Sequence, residues 1–522
     1  MKKLLLIPLV IIMIAGMCFT GACGEEKPEA GSVLRVSLPS FSYETFDPII
    51  GESFFGWSIY DPLLTWDENF EICGAVAETW TISEDGTTWT FNIRDDITFH
   101  NGDPLTSADV MFSVAHWQDP ESTNPWSPYL SYNFDTMYCP DDYTFVYKSV
   151  EPELALAIIF TDVRILPKNY IETNGLDYFR EHPVGSGPWK YIDGSFVSGE
   201  KIEMVANLEH WRTVPHFEKL IQYVIPEEAT QVAMLKRGEV DIITGITLDR
   251  IVELRDEGYR LQDPAYPDGV MICMPGTWMP EAGPTHDIGV RRALAYAIDY
   301  EELCETFFQG FAEPGGRWFS YPGVWGWDDS WEPEVYDLAQ AQSLLADAGY
   351  PEDFDDPVID IYVQIGTGYT PDLMQVLQGY WTAAGIQTEI HIVDAFEYLG
   401  LFFFGATDPA GNNIGAIIPW AFYISWPNNV YHSYNMYVPG GVHATSNDQH
   451  AAELYDRAVS QTDPALMEQY WTEFQTYVHD ELFINFGVCL VWTPIVLGDN
   501  VGEFGYGEWI SMADAYCDIK PK

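Results

Sequence analysis

The segment that decides the fold reads Ala77-Glu78-Thr79-Trp80-Thr81-Ile82-Ser83-Glu84-Asp85-Gly86-Thr87-Thr88-Trp89-Thr90-Phe91-Asn92-Ile93. Large apolar residues alternate with polar ones on both sides of its middle, which is the pattern of a half-buried antiparallel strand pair. These apolar residues are Trp80, Ile82, Trp89, Phe91 and Ile93. Asp85-Gly86 suits the tight turn between the two strands. The segment therefore predicts a hairpin with one face in a core.

The residues after this hairpin predict a second turn and a helix. Asn101-Gly102 supplies the turn, and Thr106 stands three residues before Asp109, which is the spacing of a capping box at a helix start. Val110, Val114 and Trp117 then share one helical face. Hairpin and helix together predict a compact α/β module, which by itself indicates no function.

Composition narrows the class of protein. The chain has 522 residues, 47% of them hydrophobic, which is enough for two to four domains with substantial cores. Its 24 basic and 79 acidic residues give a net charge of −55. A field of this sign repels nucleic acid and anionic lipid, so neither is expected as a partner. The charge identifies no cationic ligand, because most of these carboxylates lie on a solvated surface.

The N-terminus has the composition of an export signal. Lys2 and Lys3 precede the apolar run Leu4–Met17, and the small residues before Cys23 form a cleavage site that resembles a lipobox. We expect residues 1–22 to be removed, Cys23 to be lipidated and residues 23–30 to act as a tether. An ordinary signal peptide with an incidental cysteine is the alternative, and Cys18 is a second candidate for lipidation.

The remaining cysteines and histidines indicate no metal site. Six cysteines are scattered singly, without a Cys-x-x-Cys pair, so structural zinc is not expected, and both disulfides and buried free thiols stay open. These cysteines are Cys73, Cys139, Cys273, Cys304, Cys489 and Cys517. The histidines show no spacing typical of metal ligands; they include His182, His210, His216, His391, His432, His443 and His450.

No catalytic motif is visible. The sequence has no Gly-x-Ser-x-Gly, no His-Glu-x-x-His and no P-loop, and carboxylate pairs such as Asp95-Asp96 are adjacent in sequence, so their side chains diverge. We therefore expect no catalytic residues, no cofactor and no enzymatic activity.

Further along the chain, helices and strands alternate. Asp287, Asp337 and Pro371 each precede an amphipathic helix, and Ile386–Ile392 follows the last of these as a strand. Helix followed by strand, twice, indicates α/β layering. Asn124–Tyr129 is predicted to be a loop, and Phe483–Thr493 to be a last apolar strand that returns to the first lobe.

Several phrases resemble the family 5 extracellular solute-binding proteins, the receptors of ABC importers for peptides, nickel and related solutes. Beside the opening hairpin and helix, they are Leu63–Asp67, Leu166-Pro167-Lys168, Pro183–Lys190, Asn207–Trp211, Gly238–Ile243 and Val290–Asp299. The resemblance implies an α/β, periplasmic binding protein-like fold, with two lobes around a ligand cleft and an extra inserted domain. Lobe I would comprise 31–66, 184–272 and 488–522, the inserted domain 67–183, and lobe II 273–487. Two chain crossings would form the hinge.

The resemblance also places three candidate ligand-binding stretches. They contribute Glu52, Ser53, Phe54 and Trp57; Trp126 and Tyr129; and Trp420, Phe422, Tyr423, Trp426 and Asn428. Peptide-binding members often carry an Asp in the third stretch, yet no acid lies between Trp420 and Asn429. Glu52 would be the alternative partner for an ammonium group. Peptide, sugar, aromatic solute, osmolyte and metal chelate therefore all stay open as ligands.

The resulting hypothesis is a monomeric, lipid-anchored binding protein outside the cytoplasmic membrane. It would capture a small peptide or other small polar solute and deliver it to the permease and ATPase subunits of an ABC importer, touching the membrane only through its N-terminal lipid. Two alternatives are a secreted hydrolase of acidic, aromatic-rich type, and a peptide sensor or chaperone that uses the same fold without transport.

Overall fold

The structure is a computed structural model of the chain. It describes residues 29–51, 53–67, 72–124, 127–152, 156–264, 267–315, 327–328, 330–331, 334–364, 370–394, 397–398, 401, 415–423, 433, 436–439, 446–461, 463–504 and 516–522. The predicted signal peptide, Cys23 and most of the predicted tether lie outside these residues. Within the described ranges, no helix is both long enough and apolar enough to cross a membrane.

The strands are numbered here in chain order. They are β1 Glu29–Leu38, β2 Leu64–Trp66, β3 Ile72–Gly74, β4 Ala77–Ile82, β5 Thr88–Ile93, β6 Phe134–Asp141, β7 Thr144–Ser149, β8 Trp189–Tyr191, β9 Lys201–Ala206, β10 Phe217–Val224, β11 Ile242–Ile243, β12 Arg260–Gln262, β13 Asp268–Cys273, β14 Ala312–Pro314, β15 Ile359–Gln364, β16 Thr388–Val393, β17 Ile418–Tyr423, β18 Asn485–Val491 and β19 Ile495–Leu497.

The α-helices are numbered in the same way. They are α1 Gly56–Ile59, α2 Ser107–Trp117, α3 Ser127–Tyr132, α4 Leu156–Ile159, α5 Lys168–Asn174, α6 Leu176–Glu181, α7 Glu228–Lys236, α8 Leu248–Asp256, α9 Ile288–Tyr296, α10 Tyr300–Glu302, α11 Leu338–Asp347, α12 Thr370–Ala384, α13 Gln449–Val459 and α14 Pro464–Tyr477. A 3₁₀ segment spans Pro280–His286, and π-helical turns span Leu303–Phe307 and Val478–Leu482.

Two sheets carry most of the architecture. The first has seven strands in the order β12-β19-β11-β1-β10-β9-β8, with β1 parallel to both β10 and β11. The second has four antiparallel strands in the order β14-β18-β13-β17. The parallel pair β15-β16 adjoins the second sheet, because Ile361 bridges Ile417 just before β17. Helices and sheets alternate along the chain, which confirms the predicted α/β class.

The opening hairpin is confirmed in register. Trp80 faces Phe91 and Ile82 faces Trp89 across β4 and β5, and Gly86 has the positive φ that its turn requires. This hairpin forms a four-stranded sheet in the order β4-β5-β7-β6. Trp89 and Phe91 are fully buried in its core. The alternation seen in the sequence is therefore the alternation between core and surface.

The predicted helix starts are also confirmed. The Asp109 carboxylate accepts hydrogen bonds from the Thr106 backbone N–H at 2.9 Å and hydroxyl at 2.8 Å, at the start of α2. Asp287 accepts from Gly289 N at 2.6 Å and Asp337 from Gln340 N at 2.8 Å, at the starts of α9 and α11. These side chains satisfy backbone donors that the first helical turn leaves free.

The glycines of Pro183–Lys190 allow a close backbone approach. A Cβ on Gly185 would lie 2.0 Å from the carbonyl oxygen of Ile59, and one on Gly187 would lie 2.7 Å from the Ile59 carbonyl carbon. Gly187 N also donates to Ile59 O at 2.9 Å. Only residues without a side chain can pack against the end of α1 in this way.

The structure differs from the sequence predictions at two lobe divisions, one strand and one loop. The expected divisions at 272/273 and 487/488 fall inside β13 and β18, which are paired on both sides within the second sheet and so cannot be split between lobes. For the same reason Phe483–Thr493 does not return as one strand: β18 stays in the second sheet, and only β19 joins the first. The predicted loop Asn124–Tyr129 is helical from Ser127, where α3 begins, since proline is compatible with a first helical turn.

Candidate functional site

Within the described ranges the chain passes between the two large sheets twice, and the two crossings lie side by side. The first runs from β12 to β13 and the second from β18 to β19. Gln262 pairs with Ile495 on one side of the crossings, and Asp268 pairs with Val491 on the other. Two short, adjacent connections are what a hinge between two bodies requires, because few residues then have to change their backbone angles.

The first predicted ligand-binding loop, which leads into α1, is held by a buried carboxylate. Asp47 is fully buried, and its Oδ2 accepts hydrogen bonds from Arg180 Nε at 3.0 Å and Nη2 at 2.8 Å. His116 Nε2 lies 2.9 Å from the other carboxylate oxygen. Burial alone would raise the pKa of Asp47, but the hydrogen bonds and charges of His116 and Arg180 outweigh it and lower this pKa.

The described residues of this loop have different environments. The Ser53 hydroxyl donates to Thr45 O at 2.9 Å and accepts from Gly56 N at 3.2 Å, so it stabilises the loop itself. Phe54 is partly buried and packs on the core of the first sheet. Trp57 is partly exposed, and its buried indole Nε1 has no hydrogen-bond partner in the part of the chain that the structure describes.

Trp57 lies beside a buried arginine. The guanidinium carbon of Arg164 is 5.5 Å from the centre of the Trp57 ring, and Arg164 is only 7% exposed. Its Nη1 donates to Thr161 O at 3.1 Å, while its buried Nε has no acceptor among the described residues. Two unpaired donors, one on each side chain, therefore lie close together.

The segment that carries Arg164 touches the second sheet. Trp66 Nε1 donates to the Thr161 hydroxyl at 3.2 Å, and this hydroxyl donates to Ile158 O at 2.7 Å. Ile158 and Trp66 belong to the same apolar cluster as Met271 of β13 and Ile418 of β17. Arg164 thus lies close to where the residues around α4 meet the second sheet.

A second buried carboxylate links α1 to the β9–β10 connection. Asp61 is 1% exposed; its Oδ1 lies 3.2 Å from His210 Nε2, and its Oδ2 accepts from Trp211 Nε1 at 3.1 Å. Burial would raise the pKa of Asp61, but the charge and hydrogen bond of His210, followed by Arg212, hold it well below its ordinary value. This network fixes the chain on one side of the Trp57–Arg164 pair.

Nearby, His100 bonds to the crowded glycine segment. Its Nε2 lies 2.8 Å from Gly187 O, and its backbone N donates to Gly185 O at 2.7 Å. Burial lowers the pKa of His100 to about 4, so the ring is neutral at pH 7.

The other predicted site residues are placed only in part. Tyr129 lies on α3, and Trp420, Phe422 and Tyr423 lie on β17, where the backbone alone is described. Glu52, Trp126, Trp426 and Asn428 lie outside the described residues. The role of these residues in ligand binding stays a prediction.

Sequence reasoning missed two charged residues of this region. Arg164 is the single basic residue within the mainly apolar segment Ile158–Leu166, which also holds Thr161 and Asp162, and this contrast is a signal that could have indicated it. Asp268 begins β13 and pairs with Tyr423 of β17, so an acid lies on the strand next to the acid-free stretch that starts at Trp420. Burial raises the pKa of Asp268 to about 6.

The parallel pair β15-β16 brings together three potential metal ligands. Ligand atoms of Asp360, Glu389 and His391 lie within 4.8 Å of one another, although their sequence spacing gave no indication of this. Asp360 Oδ1 lies 2.8 Å from His391 Nε2, and all three side chains are partly or fully exposed. Asp360 and His391 thus form a surface ion pair, with Glu389 as a second carboxylate beside it.

The alternatives left open for the cysteines are resolved. Within the described residues no disulfide joins these cysteines; Cys73 and Cys139 are partly buried, and Cys273, Cys304, Cys489 and Cys517 are buried. Burial raises the pKa of Cys273 and Cys489 well above the ordinary range, which keeps these thiols protonated and unreactive.

Comparison with known proteins identifies the family. The model of bacterial extracellular solute-binding proteins, family 5 (middle region), matches residues 71–441. Heme-binding protein A of Haemophilus influenzae is 23% identical over 72% of this chain and 75% of the relative. The dipeptide-binding protein of Escherichia coli is 25% identical over 63% of this chain and 65% of its own length. The nickel-binding periplasmic protein of the same species is 26% identical over 56% of each chain.

Solved structures share the fold over almost the whole chain. NikA from Brucella suis, in complex with Fe(III)-EDTA, aligns with a TM-score of 0.80 at 20% identity and covers 94% of this chain and 100% of its own. DppA from Helicobacter pylori, in complex with the peptide STSA, aligns with a TM-score of 0.75 at 21% identity, covering 94% and 98%. The periplasmic binding protein-like fold predicted from the sequence is thereby confirmed.

The family match spans well over half of the 522 residues. Its members are extracytoplasmic binding proteins that work with the permease and ATPase subunits of ABC importers, and they are not enzymes. The chain belongs to the bacterial extracellular solute-binding proteins of family 5.

Proposed function

We propose that this chain captures a small polar or peptide-like solute in a cleft between its two large sheets, closes by a hinge motion, and delivers the solute to an importer permease. The observation that carries the proposal is the pair of adjacent crossings, β12 to β13 and β18 to β19. Two bodies joined in this way can close over a ligand while their cores stay intact.

The proposed domains follow these crossings. Lobe I would end at the residues between β12 and β13 and resume after β18, and residues 67–183 would form the inserted domain. The proposed cleft residues are Glu52, Ser53, Phe54, Trp57, Trp126, Tyr129, Trp420, Phe422, Tyr423, Trp426 and Asn428. Aromatic rings with a few polar groups are typical of sites for small ligands.

The proposal includes attachment to the membrane by a lipid on Cys23, with the protein monomeric. Cell fractionation of Cys23→Ser tests the anchor, since the variant should leave the membrane fraction and retention would contradict the proposal. The relatives are named for heme, nickel and dipeptide, so the family alone leaves the ligand class open.

The central test is a thermal-shift screen of the full chain against peptides, sugars, organic acids and metal chelates. A true ligand at 100 times its Kd should add about 2.7 kcal/mol to the free energy of unfolding. Small-angle scattering with the same ligand should show a smaller radius of gyration. A panel in which no solute raises Tm, or a bound solute that leaves the radius unchanged, would contradict the proposal.

A further inference from the structure

The parallel pair β15-β16 carries a cluster of metal-binding side chains that the proposed function does not use. In its register, Asp360 of β15 lies directly opposite Glu389 of β16. His391 is two residues beyond Glu389, and residues two positions apart on a strand point to the same side of a sheet. Asp360, Glu389 and His391, named here the β15-β16 cluster, therefore share one face, and none of them belongs to the three predicted ligand-binding stretches.

The β15-β16 cluster holds more negative than positive charge. Asp360 Oδ1 lies 2.8 Å from His391 Nε2, whereas Glu389 has no ion-pair partner among the described residues. Like charges directly opposite each other on neighbouring strands destabilise the pairing, and one imidazolium offsets only one of the two carboxylates. The same field reaches Tyr362, whose pKa is raised by burial first and then by the charges of the two cluster carboxylates and Glu397.

His182 shows what an ordinary histidine–carboxylate pair looks like in this protein. Its Nδ1 lies 2.6 Å from Asp193 Oδ1, and its side chain is as exposed as that of His391, at 33% against 34%. Within the described ranges, however, the β15-β16 cluster is the one group of three such side chains whose ligand atoms all lie within 4.8 Å of one another. A second carboxylate therefore distinguishes the environment of His391 from that of His182.

His479 has two carboxylates beside it, but they do not converge. Glu334 Oε1 lies 2.6 Å from its Nε2, and Asp480 Oδ1 lies 2.7 Å from its Nδ1. The two nitrogens lie on different edges of the ring, so these acids flank the imidazole and cannot share one ion with it. The β15-β16 cluster has the opposite arrangement, in which the three ligand atoms are mutual neighbours.

The donor set indicates the class of ion. One imidazole nitrogen and two carboxylate oxygens suit divalent ions such as Zn²⁺ and Ni²⁺, whereas Mg²⁺ and Ca²⁺ prefer oxygen ligands alone. Ligand atoms about 2.0–2.2 Å from a zinc ion lie about 3–3.5 Å from one another, so the cluster has to contract slightly. The exposed Glu389 side chain can rotate to do so, and Tyr362 orients the imidazole of His391, since the two rings stack with their centres 4.9 Å apart.

We propose that Asp360, Glu389 and His391 bind one divalent transition-metal ion, with water in the remaining coordination positions. The ion offsets the repulsion between the opposed carboxylates and links β15 to β16, two strands that form a sheet of their own. The proposal goes beyond the proposed function and does not depend on it, because the ion binds whichever solute the cleft captures.

Isothermal titration of the full chain with Zn²⁺ tests the proposal, with excess Mg²⁺ present to occupy the general acidic surface. We expect one ion to bind per chain, and His391→Ala and Glu389→Gln each to weaken its binding by at least about 10-fold. Glu389→Gln keeps the ion pair of Asp360 and His391, so its effect separates metal binding from that pair. Zn²⁺ should also raise the Tm of the wild type more than that of either variant.

His182→Ala is the matched control, because it removes an equally exposed histidine that has one carboxylate beside it. It should leave the affinity for Zn²⁺ unchanged. Wild-type affinity in both cluster variants would place the ion elsewhere, in the cleft or on the acidic surface, and would overturn the proposal. A loss in His391→Ala alone would overturn it too, since Glu389 would then not be a ligand, and so would the absence of any stoichiometric binding. None of these results bears on solute capture, which the ligand screen measures separately.

Discussion

Two arginines of this protein are equally buried but differ in how many of their hydrogen-bond donors are satisfied. Arg291 and Arg164 are both 7% exposed. Arg291 donates to four backbone carbonyls at 2.6–3.0 Å, whereas Arg164 donates to one at 3.1 Å and faces an aromatic ring. Exposure therefore does not tell an arginine whose donors are satisfied from one that keeps a donor without an acceptor among the described residues. The count of satisfied donors does.

The first way to test this comparison is Arg291→Met. The side chain joins the start of α9 to the chain before β18, and its loss leaves carbonyls without donors in a buried place. At about 1 kcal/mol for each of the four hydrogen bonds, we expect a loss of about 4 kcal/mol in the free energy of unfolding. Urea denaturation followed by circular dichroism measures it.

Arg292→Met is the control for this variant. Arg292 is the next residue in the chain, is less buried than Arg291, and donates to one carbonyl oxygen, that of Asp480. It should cost no more than about 1 kcal/mol. If Arg291→Met lowered the free energy of unfolding by as little, water would have replaced the guanidinium as the donor to the four carbonyls. The hydrogen bonds of Arg291 would then not distinguish it from Arg164.

Asp47 is a buried anion whose charge partners, Arg180 and His116, belong to the same chain, so it extends the comparison of buried charges. Asp47→Asn removes the charge that Arg180 and His116 contact, and we expect a loss of about 2 kcal/mol, less than for a fully buried pair because Arg180 is partly exposed. Denaturation at pH 7 measures this loss. Asp177→Asn is a suitable control, because its fully exposed carboxylate contacts the same arginine.

The difference in the free energy of unfolding between wild type and Asp47→Asn should depend on pH with a definite sign. The folded protein holds the pKa of Asp47 below its ordinary value of 3.8, so the unfolded chain takes up the proton at higher pH. The contribution of Asp47 is complete above that ordinary value and is lost as the pH falls through the lowered pKa. The difference between wild type and Asp47→Asn should therefore be constant near neutral pH and shrink below about pH 4. A difference that grows in acid would contradict the assignment.

The sequence predicted best those structural features that depend on residues close together in the chain. The hairpin around Asp85-Gly86 and the helix start at Thr106 and Asp109 are correct, because turn geometry and capping are local interactions. The boundaries at 272/273 and 487/488 are wrong because strand pairing, which places β13 and β18 in one sheet, joins residues more than 200 positions apart. The family resemblance was correct for a related reason, since each of its phrases is a short run of consecutive residues.

The candidate site was predictable only as a set of loops. Trp57 was named from its loop, but its unpaired N–H depends on Arg164, which is more than 100 residues away in sequence. Whether an arginine has acceptors is a property of the folded neighbourhood, and no spacing in the sequence encodes it. The sequence could indicate that Arg164 is unusual among apolar residues, and it could not indicate that its donors are free.

The smallest expected effect on stability belongs to Arg164→Met. The substitution keeps an apolar side chain of similar length beside Trp57 and gives up one hydrogen bond and one cation–π contact. It also removes a buried charge that has no ionic partner among the residues described by the structure. These terms oppose one another, so we expect the free energy of unfolding to change by no more than about 1 kcal/mol in either direction. Urea denaturation of the ligand-free protein measures it, with Trp57→Phe as the control that removes the indole N–H and one ring but keeps an aromatic face for the arginine. A loss close to that of Arg291→Met would mean that Arg164 is a structural residue after all, because only satisfied donors can stabilise the fold to that extent.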